Sequence, residues 1–230
     1  MTDPTSSLLD DDDDFEESAN PGASTSTDDF DDIDLPPPMV GIIRGHVCEV
    51  KPNPRNDRVL IIELKSEEPA SSGQTVGIFI AAILVAAGMA TAGLLPVTIT
   101  FAVFTTMRAC EQLRTSICYA NQNVTVIGGY AGLSNSKDGA THHSIEDVAW
   151  TRAIDGLTVI VPADPIETAG AIRAAYETEG PFFIRTSRMG VPDIHAADYR
   201  FEIGKAARLR EGDDVTLIAN GVMEIGRAHV

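Results

Sequence analysis

Leu157-Thr-Val-Ile-Val-Pro-Ala-Asp-Pro-Ile-Glu-Thr-Ala-Gly-Ala-Ile-Arg-Ala-Ala-Tyr-Glu-Thr-Glu-Gly-Pro-Phe-Phe-Ile-Arg185 reads as strand, helix, strand. Residues 158–161 and 182–185 are short apolar runs. Between them, Asp164-Pro165-Ile-Glu167 supplies a cap, a Pro in the first helical turn and a Glu at the third position, while Gly180-Pro181 stops the helix. Short apolar strands separated by helices imply parallel strands covered on both faces. The fold class expected is therefore α/β, a doubly wound parallel sheet.

The same rhythm extends towards the N-terminus. It predicts helices over 78–92, 107–118, 145–153 and 165–179, and strands over 97–101, 124–127, 158–161 and 182–185. Ser144 with Asp147 has the spacing of a capping box for the third helix. Towards the C-terminus, 191–212 reads as a linker wrapping outward, and 214–219 as the first strand of a further, truncated domain. The end, Glu-Ile-Gly-Arg-Ala-His-Val (224–230), matches what a common sequencing adapter encodes and is set aside as an artefact.

The N-terminal part has a different composition. Residues 1–38 hold 13 of the 34 acids, no Lys or Arg, and end in Pro36-Pro37-Pro38. So polar a segment cannot offset its ordering entropy, and a disordered acidic tail is expected. Residues 39–78 form a small β fragment of two strands joined by a turn over 52–57. Its Gly-His-Val-Cys-Glu-Val-Lys-Pro-Asn-Pro-Arg-Asn-Asp-Arg-Val (45–59) resembles the opening hairpin of the OB-fold tRNA-binding module of phenylalanyl-tRNA synthetase beta chains. The strands that would close such a barrel are absent.

The net charge of −17 comes mostly from the tail; beyond it, 21 acids face 17 bases. Such a body exerts no general pull on nucleic acid, so tRNA is not an expected partner. Three cysteines without a C-x-x-C spacing read as free buried thiols in a reducing, cytoplasmic setting. No charge occurs from Pro69 to Met107, long enough for a membrane span. The run is Ala/Gly-rich, however, and leads directly into a strand pattern, so a helix buried against a sheet is expected and no membrane.

Three features converge where parallel strands deliver their C-terminal ends into loops, the usual ligand side of such sheets. Phe101 and Phe104 close the strand pattern Thr-Ile-Thr-Phe-Ala-Val-Phe and offer flat faces to a heterocycle, or serve as core aromatics. Asp138-Gly-Ala-Thr-His142-His143 places a carboxylate beside imidazoles, suited to gripping a polyhydroxy substrate or moving a proton, or to capping a helix. His142 and His143 lack further ligands at metal-binding spacing. Arg185 and Arg188 follow the last strand; either could hold a phosphate, and Arg185 could equally pair with a neighbouring acid.

Beyond these residue readings, Ala-Ala-Gly-Met-Ala-Thr-Ala-Gly-Leu-Leu-Pro (86–96), Thr-Phe-Ala-Val-Phe-Thr-Thr-Met-Arg (100–108), Ala-Gly-Leu-Ser-Asn-Ser-Lys-Asp-Gly-Ala-Thr-His-His-Ser-Ile-Glu-Asp (131–147) and Leu-Thr-Val-Ile-Val-Pro-Ala-Asp (157–164) are similar to the pyrimidine-binding domain of the transketolase family. The likeness is to the short C-terminal subunit of split transketolases and spans about 86–223. It implies a domain over 79–190 that holds the pyrimidine half of thiamine diphosphate across a subunit interface, for ketol transfer between sugar phosphates. It further implies that Phe104 stacks on the pyrimidine with Phe101 lining the pocket, that Asp138 and His142 meet sugar hydroxyls, and that Arg188 meets the sugar phosphate. A large transketolase-type subunit would bring the magnesium and the cofactor's diphosphate end, and the assembled enzyme would be a homo-oligomer of such pairs.

Departures from the family pattern bear on activity. The family's Gly-Ile-Ala-Glu-Gln-Asn, whose Glu hydrogen-bonds the pyrimidine, maps that Glu onto Phe79, and no acid occurs between Glu68 and Glu111. Lys137 stands where the family has an acid, and the metal-binding Gly-Asp-Gly…Asn signature is absent. The chain is expected to be inactive alone, with no catalytic residue of its own. His142-His143 is also similar to deoxyxylulose-phosphate synthase and the separate-subunit layout to the pyruvate dehydrogenase beta chain, while Phe-Ala-Val-Phe and Ile-Glu-Asp-Val-Ala favour transketolase. A non-catalytic tRNA- or protein-binding chimera is the reading from another class.

Overall fold

Hydrogen bonding sorts the strands into one seven-stranded sheet of order β1-β2-β3-β4-β5-β7-β6. The structure is a computed structural model that describes residues 39–43, 46–53, 56–65 and 72–223. The expected acidic tail and the expected artefact at 224–230 lie outside these residues. The strands are β1 Met39–Ile43, β2 His46–Asn53, β3 Asn56–Lys65, β4 Leu95–Phe101, β5 Thr125–Gly129, β6 Thr158–Ile160 and β7 Phe182–Arg185. β3, β4, β5, β7 and β6 run parallel, and β1 and β2 extend one edge in antiparallel fashion.

The α/β class expected from the sequence is what the chain adopts. Its N-terminal part differs in detail. Three strands occur where two were expected, because β1 and β2 pair antiparallel with Ile43 opposite His46. β3 then pairs with β4, Val59 beside Leu95. None of the described pairings closes a barrel, so the likeness to an OB-fold hairpin finds no support.

Helices occupy both faces. α1 (Ser72–Thr91) and α3 (Asp147–Thr151) share one face with α2, a helical segment composed of Phe104–Arg108, Cys110–Gln112 and Leu113–Tyr119. α4 (Pro165–Glu177) covers the other. The alternation of a pleated strand divides neighbouring residues between two cores. Val126 and Phe183 join Ile83, Ala86, Leu113 and Ile117 on the first face, while Ile127, Phe182 and Ile184 meet Ala171 and Ala175 on the second. The uncharged helix expected after residue 78 thus packs Ile83, Ala86 and Ala87 against the sheet. Among the described residues no helix is long and apolar enough to cross a membrane.

Asp164 caps α4 as read from the sequence: its Oδ1 accepts from the Glu167 N–H at 2.7 Å, and Glu167 Oε2 accepts from the Ala163 N–H at 2.7 Å. The capping box expected at Ser144 does not form. Ser144 is held in a two-residue bridge to Gly132, with N–H···O distances of 2.8 and 3.1 Å, and its buried Oγ has no partner. Asp147 instead accepts from the Val148 N–H and from Arg185.

Two further expectations change. Residues 191–205 hold closely to α4: Asp164 Oδ2 accepts the Ile194 and His195 N–H groups at 2.8 Å each and meets His195 Nδ1 at 3.0 Å, while Phe201 joins the second core. The strand expected over 214–219 is irregular, with Val215, Leu217 and Ile218 exposed; a lone strand pattern has no ladder to enter. Cys110 is half-buried and Cys118 buried, both free, and burial pushes the Cys118 thiol up to about 11.

Candidate functional site at the carboxyl ends of the parallel strands

Parallel pairing puts the ends of β4 and β5 side by side, with Phe101 in register with Gly129. Phe101 and Tyr130 therefore leave neighbouring strands at the same height. Their rings stack with centroids 4.3 Å apart. Phe104, in the first turn of α2, lies nearly parallel to Phe101 at 5.2 Å, and Phe79 of α1 stacks on Phe104 at 4.2 Å. The result is a column of four rings, Phe79–Phe104–Phe101–Tyr130, in the offset or near-parallel arrangements that aromatic quadrupoles favour. His142 meets both Phe101 and Phe104 edge-on, at 5.7 and 5.2 Å.

Local backbone chemistry produces this column. The Ala109 N–H donates to the Phe104 carbonyl, a π-type turn of five residues, and Thr105 and Thr106 hydroxyls both donate to the Ala102 carbonyl. Such widened turns recur at functional sites. Here the turn brings Arg108 over the Phe104 ring, 4.5 Å from guanidinium carbon to centroid. Arg108 Nη2 donates to the Thr141 carbonyl at 3.1 Å, while its buried Nη1 has no protein partner. Tyr130 adopts a left-handed φ of 56°, which costs a bulky L-residue about 1–2 kcal/mol.

The polar half of the rim comes from the loop after β5. A short 3-10 turn at Ser136–Asp138 is followed by Gly139 at φ 72°, a conformation that suits glycine, and the His142 N–H donates back to the Gly139 carbonyl. Thr141 Oγ1 lies 2.9 Å from His142 Nδ1. His143 turns away, its Nε2 at 3.2 Å from the Asn135 carbonyl. Asp138 is exposed, and its Oδ2 accepts from Asn135 Nδ2 at 2.5 Å. Arg188, also exposed, donates from Nη1 to Asn135 Oδ1 at 2.9 Å and lies 5.4 Å from the Tyr130 ring centre.

All five residues proposed from the sequence thus gather on one rim. Phe101, Phe104 and His142 are in ring contact, and Asp138 and Arg188 are joined to them through Asn135 and Tyr130. Arg185 follows the structural alternative, its Nε 2.9 Å from Asp147 Oδ2. Sequence reasoning missed Phe79 as a ring partner, and also Arg108, Tyr130 and Asn135. Tyr130 carried a readable signal, an aromatic directly after Gly-Gly at a strand end; a buried Asn in a polar loop carried none.

The arrangement sets a stacked aromatic column, with Phe104 buried between Phe79 and Phe101, beside donors, an acid and two guanidinium groups. Among the described residues no three His, Cys, Asp or Glu side chains gather as a metal site. An apolar groove of 370 Å³ lies elsewhere, on the α4 face, lined by Val97, Ile99, Ile127, Ile172 and Tyr176 among others, and shares no residue with the rim.

Comparison with known proteins bears on this geometry. Residues 80–193 match the family model described as transketolase, pyrimidine binding domain. A 6-deoxy-6-sulfo-D-fructose transketolase subunit from Clostridium sp. (strain MSTE9) is 40% identical over 139 residues, 60% of this chain and 43% of that protein. An apulose-4-phosphate transketolase subunit from Phocaeicola vulgatus is 33% identical over 141 residues, 61% of this chain and 45% of the relative. Among solved structures, a split gene transketolase described as an inactive beta4 tetramer is similar with a TM-score of 0.64 at 34% identity, covering 76% of this chain and 60% of the other. The matched stretch spans less than half the length of these curated relatives.

Proposed function

We infer that this chain, whose residues 80–193 belong to the transketolase pyrimidine-binding domain family, is the C-terminal-type subunit of a split transketolase-like transferase acting on sugar phosphates. The observation that carries the reading is the ring column with His142 against its edge at the strand ends. A flat aminopyrimidine suits these faces. The pyrimidine half of thiamine diphosphate would then stack on Phe104 in place of the Phe79 ring that covers it in this structure, with Phe101 lining the pocket.

Thiamine diphosphate, when bound, supplies the nucleophilic carbon and electron sink for two-carbon transfer. The chain's own residues bind and orient. Thr141 engages His142 Nδ1 and so leaves Nε2 for a sugar hydroxyl. Asp138 accepts from a second hydroxyl, and Arg188 meets the sugar phosphate with a charge-assisted hydrogen bond. A large transketolase-type partner brings magnesium and the diphosphate-binding half, in a homo-oligomer of such pairs. Free Cys110 and Cys118 suit the cytoplasm.

Proton chemistry at the pyrimidine is where the fit ends. Phe79 stands at the position of the family's Glu and adds a ring to the column, so no acid meets the heterocycle and the chain is inactive alone. The test is a ketol-transfer assay of the chain mixed with a large transketolase-type subunit, using xylulose 5-phosphate and ribose 5-phosphate. Background rates for this chain and a gain on Phe79→Glu are expected. Turnover equal to an intact transketolase would overturn the role given to Phe79, and thiamine failing to bind would overturn the cofactor reading.

A further inference from the structure

We propose that Asn135 is the positioning residue of the rim, an amide spacer that keeps Asp138 and Arg188 from collapsing into a pair with each other. Asn135 is fully buried although it sits in a polar loop. Its Nδ2 donates to Asp138 Oδ2 at 2.5 Å, its Oδ1 accepts from Arg188 Nη1 at 2.9 Å, and its backbone carbonyl meets His143 Nε2 at 3.2 Å. Ser134 beside it accepts the Arg188 N–H at 3.2 Å. Among the described residues Asp138 and Arg188 form no direct ion pair.

Chemistry explains why an amide stands there. Only a neutral group with a donor on one end and an acceptor on the other satisfies a carboxylate and a guanidinium at once. A carboxylate in its place would repel Asp138; an apolar group would strand both and let them pair directly. With the spacer in place, Asp138 keeps one oxygen and Arg188 its other N–H groups for one ligand that carries both hydroxyls and an anionic group. The role rests on the reading of this rim as a sugar-phosphate subsite.

The test is calorimetric titration of the full chain with ribose 5-phosphate and, separately, with thiamine, for wild type, Asn135→Leu and Asn135→Asp. Asn135→Leu loses both charge-assisted contacts and Asn135→Asp the one to Asp138, and each variant is expected to bind ribose 5-phosphate about tenfold more weakly or worse, with thiamine binding unchanged. Should Asn135→Leu fail to fold, Asn135→Asp, equal in size, carries the comparison. Unchanged ribose 5-phosphate affinity in the variants, or an equal fall for both probes, overturns the spacer role while the subsite reading stands. A wild-type chain that binds thiamine but not ribose 5-phosphate overturns the subsite reading and the spacer with it. Binding of ribose 5-phosphate without thiamine overturns only the cofactor reading and leaves the Asn135 comparison decisive.

Discussion

Arg185 Nε donates to Asp147 Oδ2 at 2.9 Å, joining the end of β7 to the first turn of α3. Asp147 is 1% exposed and Arg185 20%, so this is a buried ion pair rather than a surface one. Arg185 Nη2 also reaches the Ser144 carbonyl at 3.4 Å. The pair thereby sets where the 138–143 loop returns to the body.

Removing one partner of such a pair leaves the other charge buried and unmet, at a cost of about 3–5 kcal/mol. Arg185→Leu should therefore unfold in urea at a clearly lower midpoint than wild type. An Asp147→Asn, Arg185→Gln double variant should recover part of the loss, because neither group is then charged. A wild-type midpoint for Arg185→Leu would show the pair to be structurally idle.

Phe104 has ring neighbours on two sides, Phe79 and Phe101. Phe104→Leu removes the aromatic face and part of the buried volume, at a stability cost on the order of 1–2 kcal/mol. Thiamine affinity should fall about tenfold, in line with about 0.5–1.5 kcal/mol per aromatic pair. Fluorescence or calorimetric titration reads this directly, and equal affinity would remove Phe104 from the cofactor site.

Asp164 makes the strap over 191–205 sensitive to acid. Burial alone would raise its carboxyl, but the N–H groups of Glu167, His195 and Ile194 and the His195 ring outweigh this and hold it below the usual carboxylate range. A lowered folded value means the stabilisation is complete above the unfolded value of about 3.9 and is lost as pH falls through the folded one. Asp164→Asn should cost about 1–3 kcal/mol at pH 7, with the gap to wild type narrowing below about pH 4. Urea titrations at pH 7 and pH 3 test the sign; a gap that widens in acid would contradict it.

Gly128 and Gly129 sit side by side in β5 yet should respond differently to a methyl group. A Cβ on Gly128 would lie 2.8 Å from the Phe183 ring and 3.0 Å from Ala102 Cβ, both fully buried. On Gly129 the nearest atoms are 3.6 and 3.8 Å away. Gly128→Ala should cost about 1–3 kcal/mol by overpacking, and Gly129→Ala within about 0.5 kcal/mol. Thermal unfolding of the two variants is sufficient, and equal losses would argue against this packing.

Much of the architecture could be read from the residues because it depends on short-range signals. Asp164, Pro165 and Glu167 mark the start of α4 through bonds that span only four residues. The Phe182-Phe183-Ile184 run marks β7 through its apolar character. Ser144 looked like a cap and is none, because its backbone is claimed by Gly132, a residue twelve positions away that no local pattern connects to it. Residues 214–219 have strand character, and among the described residues no strand pairs with them.

Residue order alone determined that helices alternate with parallel strands and that Phe101, Phe104, Asp138, His142 and Arg188 follow strand ends, since hydrophobic period and turn residues act over a few positions. Tertiary structure decided which of these meet, that Phe79 completes the ring column, and that Asn135 stands between an acid and a guanidinium. Those outcomes depend on strand order and on contacts such as Phe79–Phe104 and Asn135–Arg188, 25 and 53 positions apart, distances over which sequence carries no local signal and packing alone makes the choice.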